Sequence, residues 1–349
     1  MLGLGENPGS LTDADYALMA SWNMNFIRIR MNWGDVEWQP PTLSGTTWTH
    51  TYDSQHMSSI ISEIQMATSH GLYVMIESSM NTDHYPNWLW QAPYNSHHKD
   101  YPFPDPVPVN TDLWSDALMQ QFLGDYLTYI TTQFQPLDGV VGIELFDEPD
   151  PGTLPLTSDT INTVVNVQYS IAQRVRAADP ARVIFFTTIE ALGGGIPFVD
   201  FTQWKNFGNV AFDLHGYFGG RWGVGIVTDP ADPSYGLVNG TLLDDTIMNT
   251  TPPYLGTTLT QTRFVDYFQS YLGRPAAAGA IPIVIGEFGG NGEAEPNINA
   301  VMGTMTQAFN LKGVAWAVWS YNGQDAVMKL DGTPEPWTSI LAAAAAYRG

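Results

Sequence analysis

Val140-Val141-Gly142-Ile143-Glu144-Leu145-Phe146-Asp147-Glu148-Pro149 is an apolar, β-branched run that gives way to acidic residues and a proline. Such a run reads as a strand buried on both faces, the kind parallel sheets use. A second stretch, Ile283-Val284-Ile285-Gly286-Glu287-Phe288-Gly289-Gly290, has the same build. Each ends abruptly on a glutamate, which aims a carboxylate out of the C-terminal end of its strand. Outward from these two, strands are expected near 2–5, 26–31, 72–77, 140–146, 183–188, 210–215, 281–286 and 314–319. Helical patterns alternate with them at 13–22, 56–70, 114–133, 157–178, 260–272, 298–312 and 337–347, with only a short segment near 201–207 after the fifth strand. About eight strand–helix units close a (β/α)8 TIM barrel. There is no Ser/Pro-rich linker and no solenoid repeat, so one domain is expected to fill 1–349.

Composition narrows the classes of function. The chain carries 13 Lys+Arg against 35 Asp+Glu, a formal charge of −22, yet charged residues make up only 14% of it. The deficit lies in the bases, and Thr, Ser, Asn and Gln stand where charge would be. A base-poor surface avoids strong positive self-repulsion when its carboxylates protonate, so tolerance of acid is expected. The same balance argues against nucleic acid and anionic membranes as partners. A hydrophobic content of 44% is ample for a large core, and no uninterrupted apolar run of about 18 residues suggests a membrane span. Zero cysteines exclude disulfides and thiolate metal sites. Met1 to Gly5 leads almost directly into a strand with no signal peptide ahead of it, the pattern of a trimmed, secreted domain. The oligomeric state stays open.

Two connections are longer than barrel turns require, 78–112 and 216–259, and both follow strands and so belong to the face where barrel active sites lie. They carry Trp88, Trp90 and Trp222 among other aromatics. Aromatic faces stack on the apolar faces of sugar rings; the alternative is that these side chains pack the loops into ordered lids. Adjacent His97 and His98 have no third ligand in evidence, and neither a metal nor another cofactor is expected. Two carboxylates at facing strand ends suit a retaining glycosidase, in which a proton donor and a nucleophile flank the glycosidic bond about 5–5.5 Å apart. Glu148 and Glu287 are the candidate pair. Glu144, four residues before Glu148, should point into the barrel as a structural carboxylate. Glu77, ending the third strand, fits either substrate contact or network support.

Over nearly its whole length the chain resembles glycoside hydrolase family 5, the cellulase-like family of retaining (β/α)8 glycosidases. Asp147-Glu148-Pro149 stands where that family has Asn-Glu-Pro with the proton donor, and Glu287 in Ile-Gly-Glu-Phe-Gly where it has the nucleophile. Arg28 in Phe-Ile-Arg-Ile-Arg matches the arginine of the second strand, His215-Gly216-Tyr217 the His-x-Tyr signature after the sixth, and Trp319 the tryptophan closing the eighth. The resemblance implies that Arg28, Asp147, His215, Tyr217 and Trp319 contact substrate or the two glutamates. It also implies that Arg28 and the Tyr217 hydroxyl keep Glu287 ionised, while burial and the nearby charge keep Glu148 protonated.

Two departures stand out. Asp147 replaces the amide that contacts the sugar 2-hydroxyl, and the family's frequent histidine after the third strand is missing from Glu77-Ser78-Ser79-Met80-Asn81. An ionised Asp147 beside two glutamates would favour sharing a proton. The leading expectation is endo-acting hydrolysis of a β-glucan or mannan. An exo-acting enzyme or a transglycosidase on glycoconjugates, or a non-catalytic carbohydrate-binding barrel, are the alternatives.

Overall fold

The computed structural model describes residues 2–6, 11–31, 36–37, 41–78, 114–149, 157–187, 201–215, 227–229, 232–237, 281–289, 302–303, 306–307, 309–310, 313–321, 327–329 and 332–346. Its strands are β1 (Leu2–Glu6), β2 (Phe26–Arg30), β3 (Thr42–Ser44), β4 (Thr47–Thr49), β5 (Tyr73–Glu77), β6 (Val140–Glu144), β7 (Val183–Phe186), β8 (Val210–His215), β9 (Val227–Asp229), β10 (Asp232–Leu237), β11 (Ile283–Glu287) and β12 (Ala315–Trp319). Strands β1, β2, β5, β6, β7, β8, β11 and β12 pair in parallel in that order, and β12 returns to β1 to close a barrel. The helices are α1 (Asp13–Ser21), α2 (Ser54–Ser69), α3 (Ala117–Phe134), α4 (Ser158–Ala178), α5 (Thr202–Phe207) and α6 (Thr338–Ala345). The architecture is thus α/β, a parallel barrel with helices around it. The helix expected at 260–272 lies outside the described residues, and of that at 298–312 only parts are described.

Two features go beyond the sequence reading. A short antiparallel hairpin, β3–β4, stands between β2 and α2, and a second, β9–β10, lies within the long connection 216–259. Neither carries the long apolar run that reveals a barrel strand.

Alternation along each strand sorts the side chains into two environments. One set, including Ile27, Ile29, Val74, Ile76, Ile143, Ile184 and Phe212, packs outward under the helices. The other points into the barrel, where Phe26, Met75, Phe185, Ala211, Val284 and Ala317 form a separate apolar layer. Gly142 leaves room for this layer, because a Cβ there would lie 2.3 Å from the ring of Phe185. Two residues further along the same strands, the inward positions are Arg28, Glu77, Asp213, Gly286 and Trp319, joined by Glu144 two residues after Gly142. The barrel interior changes from hydrocarbon to charge within one layer, toward the C-terminal mouth.

Helices α2, α3 and α4 start on side-chain caps that the sequence supplies. Asp53 accepts from the N–H groups of Gln55 and His56, Asp116 from Leu118 and Met119, and Thr157 from Thr160. At the end of α3, Arg182 donates to the carbonyls of Phe134, Gln135 and Leu137, where a helix presents unpaired acceptors and partial negative charge. No described helix is long and apolar enough to cross a membrane.

The β3–β4 hairpin is tied to the helical layer through His50. Its Nδ1 lies 2.6 Å from Glu37, its Nε2 3.3 Å from Asp125 on α3, and Asp125 also pairs with Arg174 on α4. The ring stacks on Tyr52. Burial, the largest influence, disfavours the imidazolium, but Asp125 and Glu37 outweigh it and raise the His50 pKa from 6.5 to about 9. A raised folded value means that the stabilisation is complete below about pH 6.5 and is lost as pH rises through about 9. His50→Ala should therefore lower the unfolding free energy at pH 6 by about 1–3 kcal/mol, since it takes a partner from buried Glu37. Chemical denaturation should show the gap to the parent narrowing above pH 9; a gap that widens there would contradict this account.

Candidate active site

The site is organised around Arg28, whose side chain is wholly buried. Its Nε donates to Glu144 Oε2 at 2.9 Å, Nη2 donates to Asp147 Oδ1 at 3.0 Å, and Nη1 reaches Glu287 Oε1 in a very short contact. Glu77 Oε2 is 2.8 Å from Nη1. Inward alternation places a second cation, Arg30, one step nearer the mouth. It donates to Asp147 Oδ2 at 2.8 Å, lies 3.0 Å from Glu77, and is stacked over the ring of Trp319 at 5.2 Å. Both Glu77 oxygens lie against the guanidinium groups without hydrogen-bond alignment.

Glu287 ends β11 and is nearly buried, with its side chain 7% exposed. Glu148 lies four residues beyond the end of β6, and its φ of 37° falls in the left-handed region that non-glycine residues seldom occupy. Backbone strain of this kind is characteristic of functional positions. Its side chain is 39% exposed, so the expected burial of Glu148 is corrected: it reaches out from the wall into the mouth. Between the two glutamates stands His215, at the end of β8. Its Nδ1 is 3.0 Å from Glu148 Oε1 and 3.5 Å from Glu287 Oε2. Nε2 faces the Arg28 Nη2 donor at 3.4 Å, which makes Nε2 the acceptor and leaves the ring proton on Nδ1, facing the carboxylates. The two carboxylate oxygens can be no farther apart than these two contacts laid end to end. Both carboxylates therefore belong to one site.

Six carboxyl groups, those of Glu77, Glu144, Asp147, Glu148, Asp213 and Glu287, share the space with two guanidinium groups. They cannot all be charged at neutral pH, and their surroundings decide which are. Burial pushes Glu77 up to about 8 against the pull of Arg28 and Arg30, and raises Glu144 and Asp213 as well. Asp147 goes the other way. Burial is its largest influence and opposes ionisation, but Arg30 and Arg28 together hold its carboxyl well below the usual range. The expectation that Asp147 shares a proton is therefore corrected. Each of its oxygens has its own guanidinium, and burial favours the proton deeper in the site, on Glu77, with Glu144 and Asp213 pushed in the same direction.

His215 also brings ligand atoms near Asp147 with Glu287, and near Glu144 with Asp213, within the 4.8 Å that a metal centre would need. A cation there would compete with Arg28, which already bonds Glu144, Asp147 and Glu287. The chemistry of the donors is that of an ion-pair network. Of the other residues singled out from the sequence, Trp319 closes β12 and is half-buried at the mouth, while Tyr217, Trp88, Trp90 and Trp222 lie outside the described residues. Arg30 and Asp213 escaped the sequence reading. The alternation Phe26-Ile27-Arg28-Ile29-Arg30 could have revealed Arg30, since it puts both arginines on one face of the strand.

Residues 5–325 match the family model described as Cellulase (glycosyl hydrolase family 5), and the chain belongs to that family. Similar solved structures include endo-glycoceramidase II from Rhodococcus sp. as its lactosyl-enzyme intermediate, 18% identical with a TM-score of 0.67, covering 98% of this chain and 78% of that one. Thermotoga maritima Cel5A in complex with mannotriose is 15% identical with a TM-score of 0.63, covering 98% and 97%. An endoglucanase is 14% identical with a TM-score of 0.61, again covering 98% and 97%. At these identities the likeness is one of fold. No curated protein sequence matches the chain. Family membership makes the protein a retaining O-glycosyl hydrolase with a carbohydrate substrate, acting on β-glycosidic bonds.

The raised carboxyls make a prediction about stability. Between about pH 4.5 and about 8 the folded protein holds a proton on Glu77 that the unfolded chain has released, so stability falls as pH rises across that interval. Glu144 and Asp213 act in the same direction. Melting temperature should fall from pH 5 to pH 8, and Glu77→Gln should make the decline shallower. Thermal unfolding at four pH values across the interval decides it: a melting temperature that climbs with pH would refute the assignment.

Proposed function

We propose that the protein is an endo-acting hydrolase of β-linked glucan- or mannan-type chains, with Glu287 as nucleophile and Glu148 as acid and base. The observation that carries this reading is the single nitrogen of His215 within reach of both carboxylates, which brings them into one site. In the first step a Glu287 oxygen bonds to the anomeric carbon while the glycosidic bond breaks, and Glu148 gives its proton to the departing oxygen. In the second step Glu148 takes a proton from water as that water displaces Glu287, so the starting protonation states return. Arg28 steadies Glu287, and Trp319 offers an apolar floor whose stacked Arg30 brings hydrogen-bond donors to the sugar hydroxyls. In the same reading Asp147 orders these donors, and Tyr217, Trp88, Trp90 and Trp222 reach the substrate from the two long connections. The fold is then a complete (β/α)8 barrel in one domain, with those connections over its mouth. The base-poor surface suits an exported enzyme that works in acid.

A second reading, hydrolysis of glycoconjugates, draws on the match to endo-glycoceramidase II, which covers nearly the whole of this chain. Hydrolysis of β-glucan, mannan, glycolipid and aryl β-glycosides, with product anomers followed by NMR, separates the two. Release of retained oligosaccharide from polysaccharide supports the first reading, and release from glycolipid alone supports the second. Glu287→Ala should lose activity by several orders of magnitude and recover part of it with azide, yielding product of inverted configuration. Glu148→Ala should keep its first step on substrates with good leaving groups. Near-normal rates for Glu287→Ala on every substrate would remove it from the mechanism.

A further inference from the structure

Regular alternation along β11 would aim the nucleophile the wrong way. Val284 belongs to the inner layer and Ile285 to the outer core, so the next inward position is Gly286, and Glu287 should turn outward. The pairing with β8 shows what prevents this. Ile285 stands opposite Leu214, and the next pair is Glu287 with His215, so two residues of β11 advance against one of β8. This is a β-bulge, and a bulge re-aims the side chain that follows it.

The surplus residue is held by a side chain. Gly286 donates its N–H to Asp213 Oδ1 at 2.8 Å. A Cβ on Gly286 would lie 2.3 Å and 2.4 Å from the two Asp213 oxygens, so only glycine fits while that carboxyl is in place. Asp213 is fully buried on β8, two residues before His215 and on the same inward face. Its Oδ2 and Glu144 Oε1 have no donor among the described residues, and a proton held between these two carboxyls satisfies both.

We propose that Asp213 is a positioning residue for the nucleophile: by accepting the N–H of Gly286 it fixes the bulge that turns the Glu287 carboxylate into the mouth. Asp213 reaches neither the substrate nor the reacting atoms and acts only through the backbone of β11. The proposal rests on Glu287 as nucleophile.

The test is covalent trapping of the full chain with dinitrophenyl 2-deoxy-2-fluoro-β-cellobioside, or with the matching lactoside or mannobioside if the parent reacts faster with it. Glu287 forms the ester bond to the anomeric carbon, and dinitrophenolate leaves with the electron pair, so no acid is required and the rate reports on the aim of the carboxylate. Asp213→Ala should cut the rate constant for trapping by about 10- to 100-fold, the scale of a misplacement near 1 Å, with the probe's dissociation constant little changed. Asp213→Asn should stay within about threefold of the parent, because its amide oxygen can still accept from Gly286 and its NH2 can replace the shared proton. A rate for folded Asp213→Ala equal to that of the parent overturns the proposal. Should that variant fail to fold, Gly286→Ala decides: its methyl group displaces the carboxyl, and unchanged trapping is again the overturning result. Mass mapping of the trapped parent keeps the two ideas apart. A label on another residue, or no label from any probe, removes the nucleophile assignment and this proposal with it, whereas a parent labelled at Glu287 alongside equally fast variants removes the proposal alone.

Discussion

A guanidinium with no exposure to water, facing four carboxyl groups, is the constraint around which the functional half of this barrel is arranged. Desolvating Arg28 is costly, and only close, well-formed contacts with charge offset that cost. Asp147 just beyond β6 and Glu287 on β11 supply charge, and Glu77 on β5 and Glu144 on β6 add close polar contacts, so accommodating one cation fixes the ends of three other strands. Losing one partner from such a network costs about 3–5 kcal/mol, comparable with a sizeable part of a domain's net stability. The nucleophile candidate is therefore positioned by the same interactions that make the charged layer tolerable inside a barrel.

The barrel was legible because buried parallel strands announce themselves. Runs such as Ile283-Val284-Ile285 and Val183-Ile184-Phe185-Phe186 are apolar on both faces, and each barrel strand lies within a residue or two of where its run suggests. The β3–β4 hairpin was not legible, because its three-residue strands carry mostly exposed polar side chains and take their place from His50 and its distant partners. Within the site, the strand ends pointed to Glu148 and Glu287 as a candidate pair, and both side chains meet His215. Their geometry was not legible. Glu148 is directed by a left-handed backbone conformation, and Glu287 by an extra residue in the pairing of β11 with β8. Both are properties of how neighbouring segments meet, and strict alternation along the sequence misassigns the face of Glu287.

Asp147 shows how a departure from a family pattern can mislead when it is read alone. An amide at that position needs no counter-charge, whereas a carboxylate at 1% exposure does. The sequence reading met that need with a proton; the structure meets it with Arg30, whose Nη2 donates to the oxygen that Arg28 leaves over. Once Arg30 is present it also lies across Trp319 and beside Glu77, so the amide-to-carboxyl change, the second arginine and the acidic end of β5 form one coupled arrangement. The acidity of the site then has a different origin from the acidity of the surface. Surface carboxylates without matching bases limit repulsion in acid, whereas Glu77, Glu144 and Asp213 favour acid because burial raises their pKa values above those of the unfolded chain. Both act in the same direction on stability, yet only the second is coupled to the side chains that hold Glu287, so in this barrel the protonation of the core and the placing of the Glu287 carboxylate depend on the same few residues.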